Sequence, residues 1–328
     1  MTYSYFVERN LSPDNKEKAS EILQNISSWR TENIRNRERF EYHLIRLYRD
    51  GLEAMDDFYF SSIEAFDWGM SVIFEEEPES SSDEETQLYY QVISGLVARA
   101  LTAYAEVICL LRSGFPGGAF ERARFMQEVY VTAMTIARYG HPLGEHPELV
   151  ERYLRHRDVF EKSFAEELMN TNILGDKHPF SKEIFEALEK NQKDTKEMIG
   201  KSAGGMWAWA SPVLPEGETP TMKSISEKVL PNFYFFYKLG SRHAHAGSEG
   251  WPLGHIEVGD QDGLIVGSQD NDLGLPATLA TAFMTDLMTL VVPVEVESED
   301  GIDTKGKLIH EILENLSEII RENMFLDE

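Results

Sequence analysis

The segment from Leu88 to Tyr139 constrains this chain most, because it predicts two long helices joined by a very short connection. Apolar residues recur every three or four positions from Leu88 to Leu111, which is the period of one buried helical face. The run Ser113-Gly114-Phe115-Pro116-Gly117-Gly118 ends this helix, because glycine permits left-handed backbone and proline cannot continue the hydrogen-bond ladder. The second helix, from about Ala119 to Ala137, is apolar on nearly every side, which is typical of a central helix. We therefore expect an all-α, multi-helix bundle around a central antiparallel hairpin.

Polar side chains interrupt both helices in narrow stripes. A stripe turned towards water would contribute little to stability, because an exposed ion pair between residues one turn apart stabilises a helix by only ~0.2–0.5 kcal/mol. A stripe turned into the bundle would be costly to bury, and it would then favour a functional role. The sequence leaves both alternatives open. The stripe residues are Arg99, Thr102 and Glu106 on the first helix, and Arg124, Glu128, Thr132 and Thr135 on the second.

The rest of the chain also predicts helices, with one short exception. Residues 1–80 are expected to form an N-terminal helical extension, and residues 88–328 the main α-helical domain. The alternating residues on both sides of a glycine-bearing turn predict a small β-hairpin near 255–267. The acidic, serine-rich segment from Glu75 to Glu85 predicts a mobile loop.

The charge balance restricts the partners that this chain can have. Its net charge of −26 argues against a DNA-binding surface, since phosphate contacts need clustered lysine and arginine. Binding of RNA through a local pocket stays open. The expected partner is another protein, including a second copy of the chain in a homo-oligomer, although acidity also serves solubility.

The location of the protein is inferred from signals that are missing. No run of eighteen apolar residues predicts a transmembrane helix, and Met1–Glu8 lacks the basic and apolar regions of a signal peptide. The single cysteine, Cys109, excludes an internal disulfide framework and a multi-cysteine zinc site. We therefore expect a cytoplasmic protein that carries no cofactor and binds no membrane.

The densest histidine group offers one hypothesis for a metal site. His243 and His245 are close in the sequence and His255 follows, so the three imidazoles are candidate zinc ligands. Two histidines two positions apart share a face on a strand but diverge on a helix, and this pair follows a helical pattern. The alternative is that one histidine caps or packs against the preceding helix end.

Short motifs give the chain a family resemblance. The segments Leu110–Ala119, Ala123–Glu128 and Tyr237–His245 resemble a bacterial family of unknown function, DUF5677, and so does Trp209-Ala210. The resemblance extends from about residue 88 to residue 247 and implies an α-helical fold without a settled activity. It assigns the family's motif positions to Arg124, Glu128, Ser241 and His245, whereas His243 occupies a variable position.

A second resemblance is to the HEPN-type helical ribonucleases, which use an Arg-x(4–6)-His motif on a helix. In that mechanism the arginine holds phosphate and the histidine assists attack by the 2′-hydroxyl. Arg37 and His43 have this spacing. The pairs Arg152 with His156 and Arg242 with His245 are spaced more closely, which departs from the pattern.

Three functions remain open from the sequence. The first is a binding or regulatory protein in bacterial stress or phage defence. The second is a HEPN-like ribonuclease that uses arginine, histidine and glutamate, and the third is a metal-dependent hydrolase that uses His243, His245 and His255. In a catalytic site, Arg124 would pair with Glu128 and hold an anion, and His245 would transfer a proton. The catalytic candidates are Arg124, Glu128 and His245, and the supporting candidates are Ser241, Glu106, Arg242 and His243.

Overall fold

A computed structural model describes residues 13–76, 84–171, 181–200, 202–248, 250, 255–258, 261–264, 266–298 and 301–325. These parts are predominantly α-helical, which confirms the predicted all-α class. The hairpin expected near 255–267 is present as two antiparallel strands, and a second short ribbon near the C-terminus was not predicted. Of the acidic segment expected to be a loop, residues 77–83 lie outside the described residues.

In chain order the elements are α1 (Pro13–Leu47), α2 (Arg49–Ser71) with a π-helical turn (Val72–Glu76), α3 (Glu84–Arg112), α4 (Pro116–Tyr139), α5 (Leu149–His156), α6 (Asp158–Asn170), α7 (Lys182–Ile199), a 3-10 turn (Ala208–Val213), α8 (Met222–Val229), α9 (Tyr234–Ala244), β1 (His255–Val258), β2 (Gln261–Leu264), α10 (Gly274–Met288), β3 (Val296–Ser298), β4 (Gly301–Asp303) and α11 (Lys305–Asn323).

The central antiparallel hairpin is formed by α3 and α4, as predicted. The connection closes with two backbone hydrogen bonds, from Phe115 to the Leu110 carbonyl at 2.8 Å and from Gly114 to the Leu111 carbonyl at 3.0 Å. This arrangement needs left-handed backbone at residue 114, where glycine has a φ of 74°. Pro116 then begins α4, because its missing N–H is not needed in the first helical turn. The helix α4 is buried along most of its length, in agreement with its all-round apolarity.

Helix α10 covers one side of the hairpin and supplies a partner for its buried tyrosine. The Tyr104 hydroxyl, fully buried on α3, lies 2.9 Å from the Thr281 hydroxyl of α10. A buried phenol without such a partner would be costly, so this bond also fixes α10 against α3. Farther along α10, the ring of Phe283 lies 5.5 Å from that of Tyr130 on α4.

Helix α2 belongs to the same core as the hairpin and packs along α11. Leu52, Met55 and Phe58 of α2 are buried in this core. Tyr48, the residue between α1 and α2, is also buried and donates a 2.7 Å hydrogen bond to the Asp270 carbonyl. Because the core extends through both parts of the chain, the predicted division into residues 1–80 and 88–328 stays a prediction.

Helix α3 is long and apolar enough to cross a membrane by length and composition alone, although 56% of its most apolar window is buried inside the structure. Core helices of globular proteins meet the same criterion.

A smaller unit of α5, α6, α7 and the 3-10 turn packs beside the hairpin. A break at Arg157 separates α5 from α6. Val159, Ile199 and Ala208 belong to a small apolar cluster of this unit. Helix α5 also contacts α3 and α4, and it therefore connects the unit to the central hairpin.

Candidate functional site

The polar stripe of α4 contains an ion pair that α9 covers. The Arg124 Nη2 atom lies 3.1 Å from Glu128 Oε1 and donates a 2.7 Å hydrogen bond to the Tyr237 hydroxyl. The guanidinium group also lies over the Tyr237 ring, 4.5 Å from its centroid. Helix α9 can approach this closely because residue 240 is glycine, since a Cβ there would lie 2.8 Å from the Arg124 Cβ. These contacts fix the orientation of both members of the pair.

Helix α9 runs antiparallel to α4, and this direction determines which of its residues reach the hairpin. At one end, Gln127 Nε2 donates a 3.0 Å hydrogen bond to the Phe233 carbonyl. At the other end, the His243 ring stacks on Phe120, with centroids 5.1 Å apart and planes inclined by 6°. The imidazole that faces the hairpin is therefore that of His243.

His245 and its neighbours lie at the end of α9. His245 is the C-cap residue, has extended backbone and an exposed side chain, and lies two helical turns beyond Tyr237. The Ser241 hydroxyl donates a 2.8 Å hydrogen bond to the Tyr237 carbonyl, and the Ser241 carbonyl accepts one from the His245 N–H. Arg242 is exposed. A shared action of His245 with Arg124 and Glu128 stays a prediction.

Glu128 also lines a cleft of about 160 Å³ between the central hairpin and the smaller unit. The stripe of α3 reaches the same cleft through Arg99. Glu106 of that stripe instead points outwards and pairs with Arg122 at 3.2 Å, with both side chains largely exposed. The two stripes are therefore partly solvated and partly turned into a cleft, whose other walls include Phe125, Tyr153, Trp207 and Trp209.

Arg99 is held at the cleft by two aromatic neighbours. Its guanidinium carbon lies 5.2 Å from the centroid of the Phe125 ring, and Tyr153, which lines the same cleft, is the second aromatic neighbour. Burial raises the pKa of Tyr153, and the neighbouring Arg99 offsets part of this rise. The phenol is therefore protonated at neutral pH. The arrangement presents a fixed cation beside aromatic walls.

The aromatic wall is positioned by Arg152, a buried arginine on α5. Its guanidinium donates to the carbonyls of Trp209 at 2.9 Å and Met198 at 3.0 Å, to that of Ala208 at 3.4 Å, and to the Ser211 hydroxyl at 2.8 Å. Burial lowers the pKa of Arg152, which still leaves the side chain charged at neutral pH. One cation therefore joins α5, the end of α7 and the 3-10 turn.

His156 lies one turn after Arg152 on α5. Its side chain contacts the loop that precedes the 3-10 turn. Its Nε2 atom is 3.2 Å from the Ala203 carbonyl, which requires the hydrogen on that nitrogen. Burial lowers the pKa of His156, and the carbonyls of Ala203 and Gly205 offset part of this effect. The imidazole is therefore neutral at pH 7 and donates to the loop.

The structure gives no support to the hypothesis that three histidines form a metal site. Within the part of the chain that the structure describes, no three His, Cys, Asp or Glu side chains are placed to share a metal ion. His243 lies on α9 and stacks on Phe120, whereas His245 is the extended C-cap residue beyond the helix end. His255 lies on β1. The prediction of a metal-dependent hydrolase based on these three residues loses its structural basis.

The model of DUF5677, a family of unknown function, matches residues 90–263, just over half of the chain. This chain belongs to DUF5677. The matched part of the DUF5677 protein begins within α3 and ends in β2, so it contains the cleft and the contact between α4 and α9. Arg37 and His43 lie outside it, and the HEPN resemblance is not shown. No curated protein and no solved structure matches the chain.

Sequence reasoning missed several residues of this DUF5677 site. Tyr237 was seen as part of a motif but not as the partner of Arg124. Arg152 and His156 were considered only for their spacing in a ribonuclease motif, although two polar residues four positions apart share one helical face. That face is buried, and its burial identifies Arg152 and His156 as residues that support the fold. Trp207 and Trp209 gave no signal of a cleft because their partners are distant in the sequence.

Proposed function

We propose that this DUF5677 protein is a binding or regulatory protein, and that its ligand enters the cleft between α3, α4 and α5. The observation that carries the proposal is the lining of this cleft, in which Arg99 and Glu128 lie among aromatic side chains. Small-molecule sites are typically concave and apolar, with a few fixed polar groups that orient the ligand. The groups here are oriented before a ligand arrives, because Glu128 is paired with Arg124 and the Arg99 guanidinium lies over the Phe125 ring.

The size and chemistry of the cleft favour a planar ring with a polar edge. A cavity of about 150 Å³ accommodates one benzene ring, and this cleft has a volume of about 160 Å³. Aromatic walls such as Trp207 and Phe125 favour stacking with a flat ligand. Glu128 accepts hydrogen bonds and Arg99 donates them. A cyclic amide such as uracil has adjacent N–H and C=O groups, so its N–H can donate to Glu128 and its C=O can accept from Arg99.

Binding is favoured over catalysis because the ionisable groups of the cleft already have protein partners. Glu128 is paired with Arg124, and the hydrogen on His156 Nε2 is used by the Ala203 carbonyl. The Tyr153 phenol has a pKa raised by burial, which makes it a poor base at neutral pH. Each group is thus suited to orient a ligand.

Ligand-observed NMR tests the proposal by comparing the binding of uridine and 3-methyluridine. In 3-methyluridine a methyl group replaces the hydrogen of the ring N–H. We expect uridine to bind more tightly than 3-methyluridine, and Glu128→Gln or Arg99→Met to weaken uridine binding about tenfold, the loss of one charged hydrogen bond. Matched controls are Glu106→Gln and Arg122→Met, which change an exposed pair on the same two helices. Equal binding of the two nucleosides, no binding of either, or equal losses in the controls would contradict the proposal.

The cellular setting that we propose is bacterial stress or phage defence in the cytoplasm. It is supported by the sequence hypotheses alone and requires a separate experiment. A strain with a chromosomal Glu128→Gln substitution should survive stress or phage challenge as poorly as a deletion strain. A strain with Glu106→Gln should behave like the wild type. Survival of the deletion strain at the wild-type level would reject the setting without affecting the binding site.

A further inference from the structure

Helix α1 presents an exposed apolar face near its N-terminal end. Ile22, Ile26 and Trp29 are spaced by four and three residues, which places them on one side of the helix. They are 57%, 46% and 66% exposed, respectively. Every residue whose side chain is described between Ile22 and Arg39 is exposed, so this part of α1 has no buried face among the residues that the structure describes. Isolated helices gain little stability in water, and an apolar face on one therefore favours a partner.

The same part of α1 differs in charge from the rest of the protein. Residues 30–39 contain four arginines and two glutamates, so this stretch is positive in a chain whose net charge is −26. All six side chains are exposed. The apolar face of α1 is thus followed along the helix by a basic segment. Residues 22–39 thus form an arm with an apolar face and a basic segment.

An open groove lies between α2 and α11. It has a volume of about 480 Å³, and Phe60 and Ile312 form part of its apolar lining. Phe60 is 61% exposed, which is unusual for so large a ring. Asp57 and Glu64, one turn before and after Phe60, also line the groove and make it acidic. The groove therefore offers apolar surface with negative charge, whereas the arm offers apolar surface with positive charge.

We propose that the arm of one copy binds the α2–α11 groove of a second copy, and that the reciprocal contact completes a two-fold dimer. An amphipathic helix lying in an apolar groove is a common mode of recognition, and a two-fold arrangement uses both contacts. The positive arm also reduces the repulsion between two strongly acidic bodies.

The groove of the same copy is not available to the arm. Helix α1 continues into α2 without a loop, because the Tyr48 N–H donates to the Leu44 carbonyl at 3.0 Å and the Leu52 N–H to the Tyr48 carbonyl at 2.9 Å. Tyr48 is also buried and bonded to Asp270. Folding the arm back onto α2 would break these contacts. The occupant of the groove is therefore a second chain.

The dimer is tested by light scattering after size exclusion. The wild type should have the mass of two chains at micromolar concentration, and Trp29→Asp or Phe60→Asp should have the mass of one. The matched control is Tyr42→Asp, because Tyr42 is as exposed as Trp29 and lies on the opposite side of α1, about 220° around the helix. A monomeric wild type, a dimeric Trp29→Asp protein or a monomeric Tyr42→Asp protein would overturn the proposal.

Disulfide trapping identifies the mode of contact. In a Cys109→Ser background, which removes the exposed native thiol, Trp29→Cys combined with Phe60→Cys should give a covalent dimer on oxidation. Trp29→Cys alone should stay uncrosslinked. Crosslinking of Trp29→Cys alone would show an arm-to-arm contact, and a disulfide within one chain would show a folded-back arm. Either result would overturn the arm-in-groove dimer.

Discussion

Replacing Arg152 with methionine should release the aromatic wall of the cleft while the central hairpin stays folded. Methionine keeps much of the apolar stem of arginine, so the change removes mainly the guanidinium group. That group donates to the carbonyls of Met198, Ala208 and Trp209 and to the Ser211 hydroxyl. Arg152 is only 8% exposed, so water cannot readily replace its guanidinium group as a donor.

The magnitude follows from the number of acceptors that lose their partner. A buried acceptor without a hydrogen bond costs about 1–3 kcal/mol, and three carbonyls and a hydroxyl are affected. Removal of a buried cation recovers part of this cost, because its own desolvation penalty disappears. We therefore expect a loss of about 3–5 kcal/mol in the free energy of unfolding of the smaller unit. Arg152→Lys should lose less, because an ammonium group keeps the charge but cannot reproduce the planar fork.

The assay combines urea unfolding with amide hydrogen exchange. Exchange should accelerate in the 3-10 turn and at the end of α7, and uridine binding should weaken because Trp207 and Trp209 are no longer held. The matched control is Arg155→Met on the same helix, since Arg155 forms an exposed pair with Glu151 at 3.1 Å. Such pairs contribute about 0–1 kcal/mol. If Arg152→Met and Arg155→Met unfolded alike, the positioning role of Arg152 would be refuted.

Two further predictions concern pH and the core. Because burial lowers the pKa of His156, its neutral form stabilises the fold above the unfolded pKa, and this contribution is lost as the pH falls towards the folded pKa. In urea titrations, the free energy of unfolding of the wild type should therefore fall relative to that of His156→Gln when the pH is lowered from 7 to 5. A difference between the two proteins that stays constant with pH would contradict this. Ile136→Ala, at a fully buried position of α4, should cost about 2–5 kcal/mol in the same assay, and a loss well below 1 kcal/mol would show that α4 is not central.

The limits of sequence reasoning are clearest along α4 and α9. The repeated apolar pattern and the glycine-proline connection predicted the hairpin correctly, because helical period and chain reversal depend on neighbouring residues. The sequence also indicated that Arg124 and Glu128 share one face of α4. It could not show that Tyr237 covers them, because this contact depends on the approach of α9 at Gly240, far along the chain.

Local sequence thus determined the all-α class, the central hairpin, the small β-hairpin and the two polar stripes. Tertiary structure alone decided that Arg99 and Glu128 line one cleft, that Arg152 holds the aromatic wall of this cleft, and that His243 stacks on Phe120. The physical reason is that secondary structure arises from interactions within a few residues, whereas a cleft depends on how distant helices pack. Burial then decides whether a charged residue is a solvated neighbour or part of a site.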